Sequence, residues 1–295
     1  MLRPRTSLSL LLLLAPFPLA AQAGADLAPW QDVSRTLQTS ALAMPGYVRF
    51  NFPRTDLTVT MAGVTLAPQI VQGGWVGFAG TAVAATVMGD LVLLPTELPG
   101  VVRGLQARGF EVSAVHNHLM GEIPALVYVH LASTGAALRL AAQLDTILRT
   151  TSTPRSAMMP PPTGTIDSAM VFGALGLAGR VRGAVAQAGP ILVADTVIWH
   201  GQALPPALIL SSPINLQLVA PDRLVGSGDF ALVDRQLAPV LAALAAHGIL
   251  TTAVHSHLIG EAPHINYTHF WVDGSPVNTL TGLRAAIDAA RGAVR

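Results

Sequence analysis

The sequence predicts an α+β protein of two tandem homologous domains, each an antiparallel-rich sheet with helices, able to pair about a pseudo-twofold axis. Three observations lead there. Ala114 to His130 reads A-V-H-N-H-L-M-G-E-I-P-A-L-V-Y-V-H, and Ala253 to His269 reads A-V-H-S-H-L-I-G-E-A-P-H-I-N-Y-T-H. Across 89–130 and 228–269, about 18 of 42 positions are identical without a gap, which marks an internal duplication with a period near 139 residues. A period that long means two domains, not a solenoid of short units. Between the copies lies T-T-S-T-P-R-S-A-M-M-P-P-P-T-G, a Pro/Thr/Ser-rich linker over 150–164. The expected organisation is a signal peptide over 1–23, a first repeat domain over 24–149, the linker, and a second repeat domain over 165–295.

In chain order, Trp30 to Thr39 resembles a short helix, and Tyr47 to Thr60 alternates as a strand or hairpin arm. Gly63, Pro68, Gly73 and Gly74 punctuate turns. Trp75 to Ala79 and Thr86 to Leu94 read as strands. Leu98, Val101, Val102 and Leu105 recur at helical spacing and Gly109 supplies the stop. Phe110 to His118 and Leu126 to Leu131 are strands around a loop, and Gly135 to Leu148 is a helix. The second half repeats this order, with strands over Val181 to Val197, a helix over Leu237 to His247 and a strand over Ile249 to His257.

At 295 residues, 51% hydrophobic and 11% charged, the chain can bury large cores. A net charge of +1 without basic clusters argues against a nucleic-acid partner. The absence of cysteine excludes disulfides, thiolate metal sites and a cysteine nucleophile. Arg3 and Arg5, the apolar run Leu8 to Leu14 and the Ala21-Gln22-Ala23 site together read as a cleaved export signal. The run falls short of the roughly 20 apolar residues that span a bilayer. The expectation is a soluble periplasmic or extracellular protein without a transmembrane helix in its mature chain.

Seven of the nine histidines fall in the two repeated windows. On a strand, His116 and His118 share a face because side chains alternate with period two. If His118 opposes Leu126 in a hairpin, His116 opposes Tyr128 and Ala114 opposes His130, so Tyr128 and His130 join that face. Three imidazoles and Glu122 from the loop then converge, a donor set suited to Zn or another first-row divalent metal. The same logic gives His255, His257, His269 and Glu261 in the second copy. The metal candidates are therefore His116, His118, His130, His255, His257 and His269. Glu122 and Glu261 are candidate catalytic bases acting on a metal-bound water, or alternatively fourth ligands. The competing reading is a structural hydrogen-bond network of histidines.

Other positions read more plainly. Asp90 and Asp229 follow glycine at a strand start and suit turn chemistry. Arg54 and Asp56 have no counterpart in the second copy and read as surface or local ion-pair residues. Tyr128 reads as packing or as a donor behind the ligands. His264, present only in the second copy, could add a ligand there; His200 and His247 read as surface positions, and Phe270 and Trp271 as core. H-x-H-x-x-x-E matches a first cupin motif only weakly. No phosphate loop, G-x-S-x-G elbow or dinucleotide fingerprint is present.

The duplicated G-D-strand, helix and A-V-H-x-H-x-x-G-E-x-P order, with the final H-F-W, resembles the LppY/LpqO family of exported bacterial (lipo)proteins, a domain-of-unknown-function family. The resemblance covers most of the chain after the signal and implies export and two repeats, but no reaction. The chain departs from it in lacking a lipid-attachment cysteine and in carrying Ser256 where the first copy has Asn117. Three functions follow as expectations: a divalent-metal-dependent hydrolase, a non-catalytic envelope binding or metal-sequestering protein with a small-molecule or envelope ligand, and a structural role for the histidines.

Overall fold

The computed structural model describes residues 26–293. The expected signal segment, 1–23, lies outside the described residues. The first half runs α1 (Gln31–Leu37), β1 (Ala41–Met44), β2 (Tyr47–Pro53), the small hairpin β3 (Thr60–Met61) and β4 (Val64–Thr65), and α2 (Pro68–Val71). It continues with β5 (Gly73–Gly80), β6 (Ala85–Leu93), α3 (Leu98–Gln106), β7 (Glu111–His116), β8 (Val127–Gly135) and α4 (Ala137–Leu148). The second half runs α5 (Ser168–Leu175), β9 (Gly179–Arg182), β10 (Val185–Ala188), β11 (Ile198–Trp199), β12 (Gln202–Ala203) and α6 (Pro206–Ile209). There follow β13 (Ile214–Ala220), β14 (Arg223–Val233), α7 (Asp234–Ala246), β15 (Leu250–His255), β16 (Ile265–Gly274) and α8 (Pro276–Gly292).

Each half folds into a six-stranded antiparallel sheet. The orders are β1-β2-β5-β6-β8-β7 and β9-β10-β13-β14-β16-β15, so corresponding strands hold corresponding places. One face of each sheet is covered by its own helices. In the first half Phe50, Phe78, Val87, Leu91, Val129 and Leu131 pack under residues of α1, α3 and α4. In the second, Leu232, Phe230, Phe270 and Val272 pack under α7 and α8.

The other face of each sheet meets the other half. Tyr47, Met88 and Ala132 share a core with Trp199, Leu208, Ala231 and Tyr267. Val59, Leu66, Val92 and Tyr128 share another with Val185, Val225 and Trp271. The contacts are reciprocal. Ser113 Oγ donates to the His257 carbonyl at 2.6 Å, and Thr252 Oγ1 donates to the His118 carbonyl at 2.7 Å. With a 139-residue offset these are one contact made twice, the signature of pairing about a twofold axis.

The segment between α4 and α5 is pinned to the first half. Arg155 binds the Asp145 carboxylate at 3.1 Å and the Leu37 carbonyl at 3.0 Å, and the Pro160 carbonyl accepts from Gln69 at 2.8 Å.

Two sequence expectations change. Arg54 makes the expected local ion pair with Asp56, Nη2 to Oδ2 at 2.9 Å, but it is not a surface residue: its side chain is fully buried, with Nη1 2.7 Å from Glu97 Oε2. Glu97 also accepts from the amides of Leu94 and Ser152, so one guanidinium ties β2 to the start of α3 and to the chain leaving α4. Replacing it with methionine leaves a nearly buried carboxylate uncompensated. Arg54→Met is expected to cost about 3 kcal/mol in urea unfolding, and a loss below about 1 kcal/mol would contradict this account.

Asp90 and Asp229 are not turn residues. They lie inside β6 and β14, opposite His130 and His269. The preceding glycines serve close strand approach: a Cβ on Gly89 would collide with the Trp75 carbonyl, and one on Gly228 with the Pro213 carbonyl.

Candidate metal centre

The hairpin register is the expected one: Ala114 pairs with His130 and His116 with Tyr128. The second copy repeats it, with Ala253 opposite His269 and His255 opposite Tyr267. Each strand before the loop ends two residues earlier than expected, at His116 and His255, so His118 and His257 follow the strand. In the first copy Asn117 Nδ2 donates to the Leu126 carbonyl at 2.7 Å, a side-chain bond in place of the next ladder bond.

The histidines of the two copies do not form two separate sites. All six lie together on the inner faces, between the two cores that the halves share. His116 stacks on His255 with ring centroids 3.8 Å apart. His118 stacks on His269 at 3.9 Å, and its twofold counterpart, His257 on His130, at 3.8 Å. Tyr128 backs His118 at 3.5 Å and Tyr267 backs His257 at 3.2 Å. Each tyrosine hydroxyl donates to a backbone carbonyl, Val71 for Tyr128 and Ile209 for Tyr267, which fixes the rings under the imidazoles. His269 Nε2 lies 2.8 Å from His255 Nε2. Two sets have ligand atoms within 4.8 Å of one another: His116, His118 and His269, and His116, His130 and His255. Each set draws on both repeats.

The aspartates complete the cluster, and the sequence reading missed them. Asp90 Oδ2 is 3.5 Å from His118 Nε2, and its Oδ1 is 3.9 Å from His130 Nε2. Asp229 Oδ2 is 3.9 Å from His269 Nδ1. The available signal was a charge of His130's strand parity inside an apolar run, V-M-G-D-L-V-L-L.

The family described as Domain of Unknown Function (DUF1259) matches the chain twice, over residues 31–150 and 169–289. The chain belongs to that family. No curated relative matches it. Among solved structures, EtuB from Clostridium kluyveri is similar at 11% identity, covering 86% of this chain and 91% of that one, with a TM-score of 0.22. The trimeric bacterial microcompartment shell protein PduB gives 11% identity, coverage of 87% and 91%, and a TM-score of 0.21. A fused permuted hexameric shell protein from the RMM microcompartment gives 10%, 72% and 86%, and 0.18. TM-scores this low leave fold and function unassigned by likeness. The two DUF1259 matches each contain one histidine window, so both copies of the domain contribute to one centre.

Burial sets the protonation of the centre. It pushes His116 and His118 down to about 3 and His255 to about 4, with neighbouring histidines adding to the fall at His116 and His255. Burial also holds His130, His257 and His269 well below the usual imidazole value. All six imidazoles are therefore neutral at pH 7 and keep a lone pair, the form that binds metal. Burial raises Asp90 to about 6, moderated by His116, His255 and Arg49, and raises Asp229 well above its usual range, with Asp90 adding to the rise. Arg49 lies on β2, and the matching place on β10 holds the neutral Gln187.

The recurring loop has its own structural logic within each DUF1259 copy. Gly121 and Gly260 take positive φ, +103° and +77°, which glycine adopts without steric cost. Glu122 Oε1 accepts from the Leu126 amide at 2.9 Å, and Glu261 Oε1 from the Ile265 amide at 3.2 Å. Each glutamate thus spends one oxygen holding its loop closed, while Glu261 Oε2 is buried with no hydrogen-bond partner among the described residues. His264 is exposed and held by Ser256 at 2.8 Å and Asp234 at 3.2 Å, outside the stacked cluster. His200 is exposed and pairs with Glu111 of the other half at 3.1 Å.

Proposed function

We propose that this protein binds a first-row divalent metal such as zinc in one centre shared by its two repeats, and does so outside the cytoplasm. The observation that carries the reading is the convergence of six neutral imidazoles, three from each repeat, with nitrogen atoms of His116, His118, His130, His257 and His269 buried and lacking a hydrogen-bond partner. A purely structural histidine network would be expected to pair those nitrogens, because an unpaired buried polar atom costs about 1–3 kcal/mol. Imidazole with carboxylate favours zinc and its first-row neighbours. Export is supported by the charged, apolar and A-x-A sequence at the start of the chain and by the resemblance to LppY/LpqO proteins. Among the described residues no helix is long and apolar enough to cross a membrane.

A hydrolase is the second reading, favoured by the free buried oxygen of Glu261, which could take a proton from metal-bound water. The test is metal analysis of the purified protein, before and after chelation, with Glu122→Gln, Glu261→Gln and the double variant alongside. Metal in the parent and in all three variants, with chelator-sensitive hydrolysis reduced about 10²–10⁴-fold, supports the base role. Metal without hydrolysis in any form leaves the binding protein. No metal in the parent refutes the whole reading.

A further inference from the structure

We infer that the cluster takes two divalent cations rather than one, each held by three imidazoles, with Asp90 and Asp229 as carboxylate bridges between them. This rests on the metal-binding reading above. Symmetry carries the first step. His116, His118 and His269 have ligand atoms within 4.8 Å of one another. The 139-residue offset turns that set into His255, His257 and His130, of which His130 and His255 approach within the same limit together with His116 rather than with His257. The two sets share no residue and use all six histidines once. Each takes two side chains from one repeat and one from the other. His118 and His269, and their images His257 and His130, stack at 3.9 and 3.8 Å within the sets, while His116 and His255 stack at 3.8 Å between them.

A single ion on the axis is the alternative, held by His116, His130 and His255. It leaves His118, His257, His269 and both aspartates without work. Yet His118 Nε2, both ring nitrogens of His257, Asp90 Oδ1 and Asp229 Oδ1 are buried with no hydrogen-bond partner among the described residues. Orphaned buried polar atoms are rare because their desolvation is not offset. Here they gather at one place, and a second ion accounts for them.

The aspartates stand where bridges must stand. Asp90 lies 3.5 Å from a ligand of the first set, His118, and 3.9 Å from a ligand of the second, His130. Asp229 lies 3.9 Å from His269 of the first set and holds the place in the second repeat that Asp90 holds in the first. Charge requires them as well. Paired metal ions sit about 3.5–4 Å apart and repel strongly. Neutral imidazoles cannot offset that repulsion, whereas two carboxylates can.

The experiment titrates chelator-treated mature protein with Co(II) and Zn(II), following cobalt absorption and confirming ion content by elemental analysis after dialysis. Two ions per chain are expected. His118→Gln should reduce this to one. Asp90→Asn with Asp229→Asn should weaken binding at least about 100-fold and hold fewer than two ions. Circular dichroism of each metal-free variant checks folding, and His257→Gln provides an independent counterpart to His118→Gln. One ion per chain in the parent, or two ions at unchanged affinity in the double aspartate variant, would overturn the bridged pair while leaving metal binding intact. No binding at all would overturn the underlying reading instead.

Discussion

Replacing His255, His257 and His269 together with glutamine is expected to abolish tight metal binding by the whole chain, not to halve it. Affinity for Zn(II) should fall by more than about 100-fold, with no intact high-affinity site left. The reason is the sharing of the centre. Both sets of mutually close histidines draw on the two repeats: one needs His269 and the other needs His255. His116, His118 and His130 alone complete neither. The reciprocal variant, with His116, His118 and His130 replaced, should behave the same way. Two independent sites, one per repeat, would instead leave half of the binding capacity at full affinity in each variant. Calorimetric titration of the parent and both triple variants separates the two results. Near-ultraviolet circular dichroism guards against unfolding, since Tyr128 and Tyr267 lie against the replaced rings.

The hairpin was legible because its determinants are local. Alternation fixed the parity of His116, Tyr128 and His130, and the loop length fixed the register; the pairs Ala114–His130 and His116–Tyr128 follow from those two facts. The helices α3 and α4, with their apolar spacing, were legible for the same reason. The assembly was not. Met88 and Val92 on β6 are as apolar as Val87 and Leu91 on the opposite parity, so the sequence signals a sheet buried on both faces without saying by what. What covers the inner face is the other repeat. Only that contact turns two partial ligand sets into one cluster.

Asp90 was hidden by a local signal that competes with the tertiary one. Gly-Asp is a common turn dipeptide. Here the glycine exists so that β5 can approach, and the aspartate is buried beside His118 and His130. Glu122 illustrates the converse. Its place beside the histidines suggested chemistry, and much of its recurrence is explained by the Leu126 amide that it holds.

Acidification of the metal-free protein is expected to destabilise it steeply from about pH 6.5 downward. The folded state holds His116 and His118 at about 3 and His255 at about 4, all through burial first. In the unfolded chain an imidazole titrates near about 6.5. Between those limits the unfolded state binds protons that the folded state refuses, so stability falls as pH falls. Each such histidine contributes a slope of up to about 1.4 kcal/mol per pH unit. Asp90 acts in the opposite sense. Its folded value is raised to about 6 from 3.8, so below about pH 6 the folded state gains a proton that the unfolded state does not yet hold. Asp229, also raised by burial, works the same way. Two carboxyls therefore offset part of what six imidazoles lose, and the balance still favours unfolding in acid. The net loss between pH 7 and pH 5 should exceed about 2 kcal/mol. Urea unfolding at pH 7, 6 and 5 measures it. Gln at His116 and His255 removes two of the titrating groups and should flatten the dependence. A urea midpoint that does not move between pH 7 and pH 5 in the parent protein would show that the imidazoles are not held neutral by burial, and with that the neutral ligand cluster would fail.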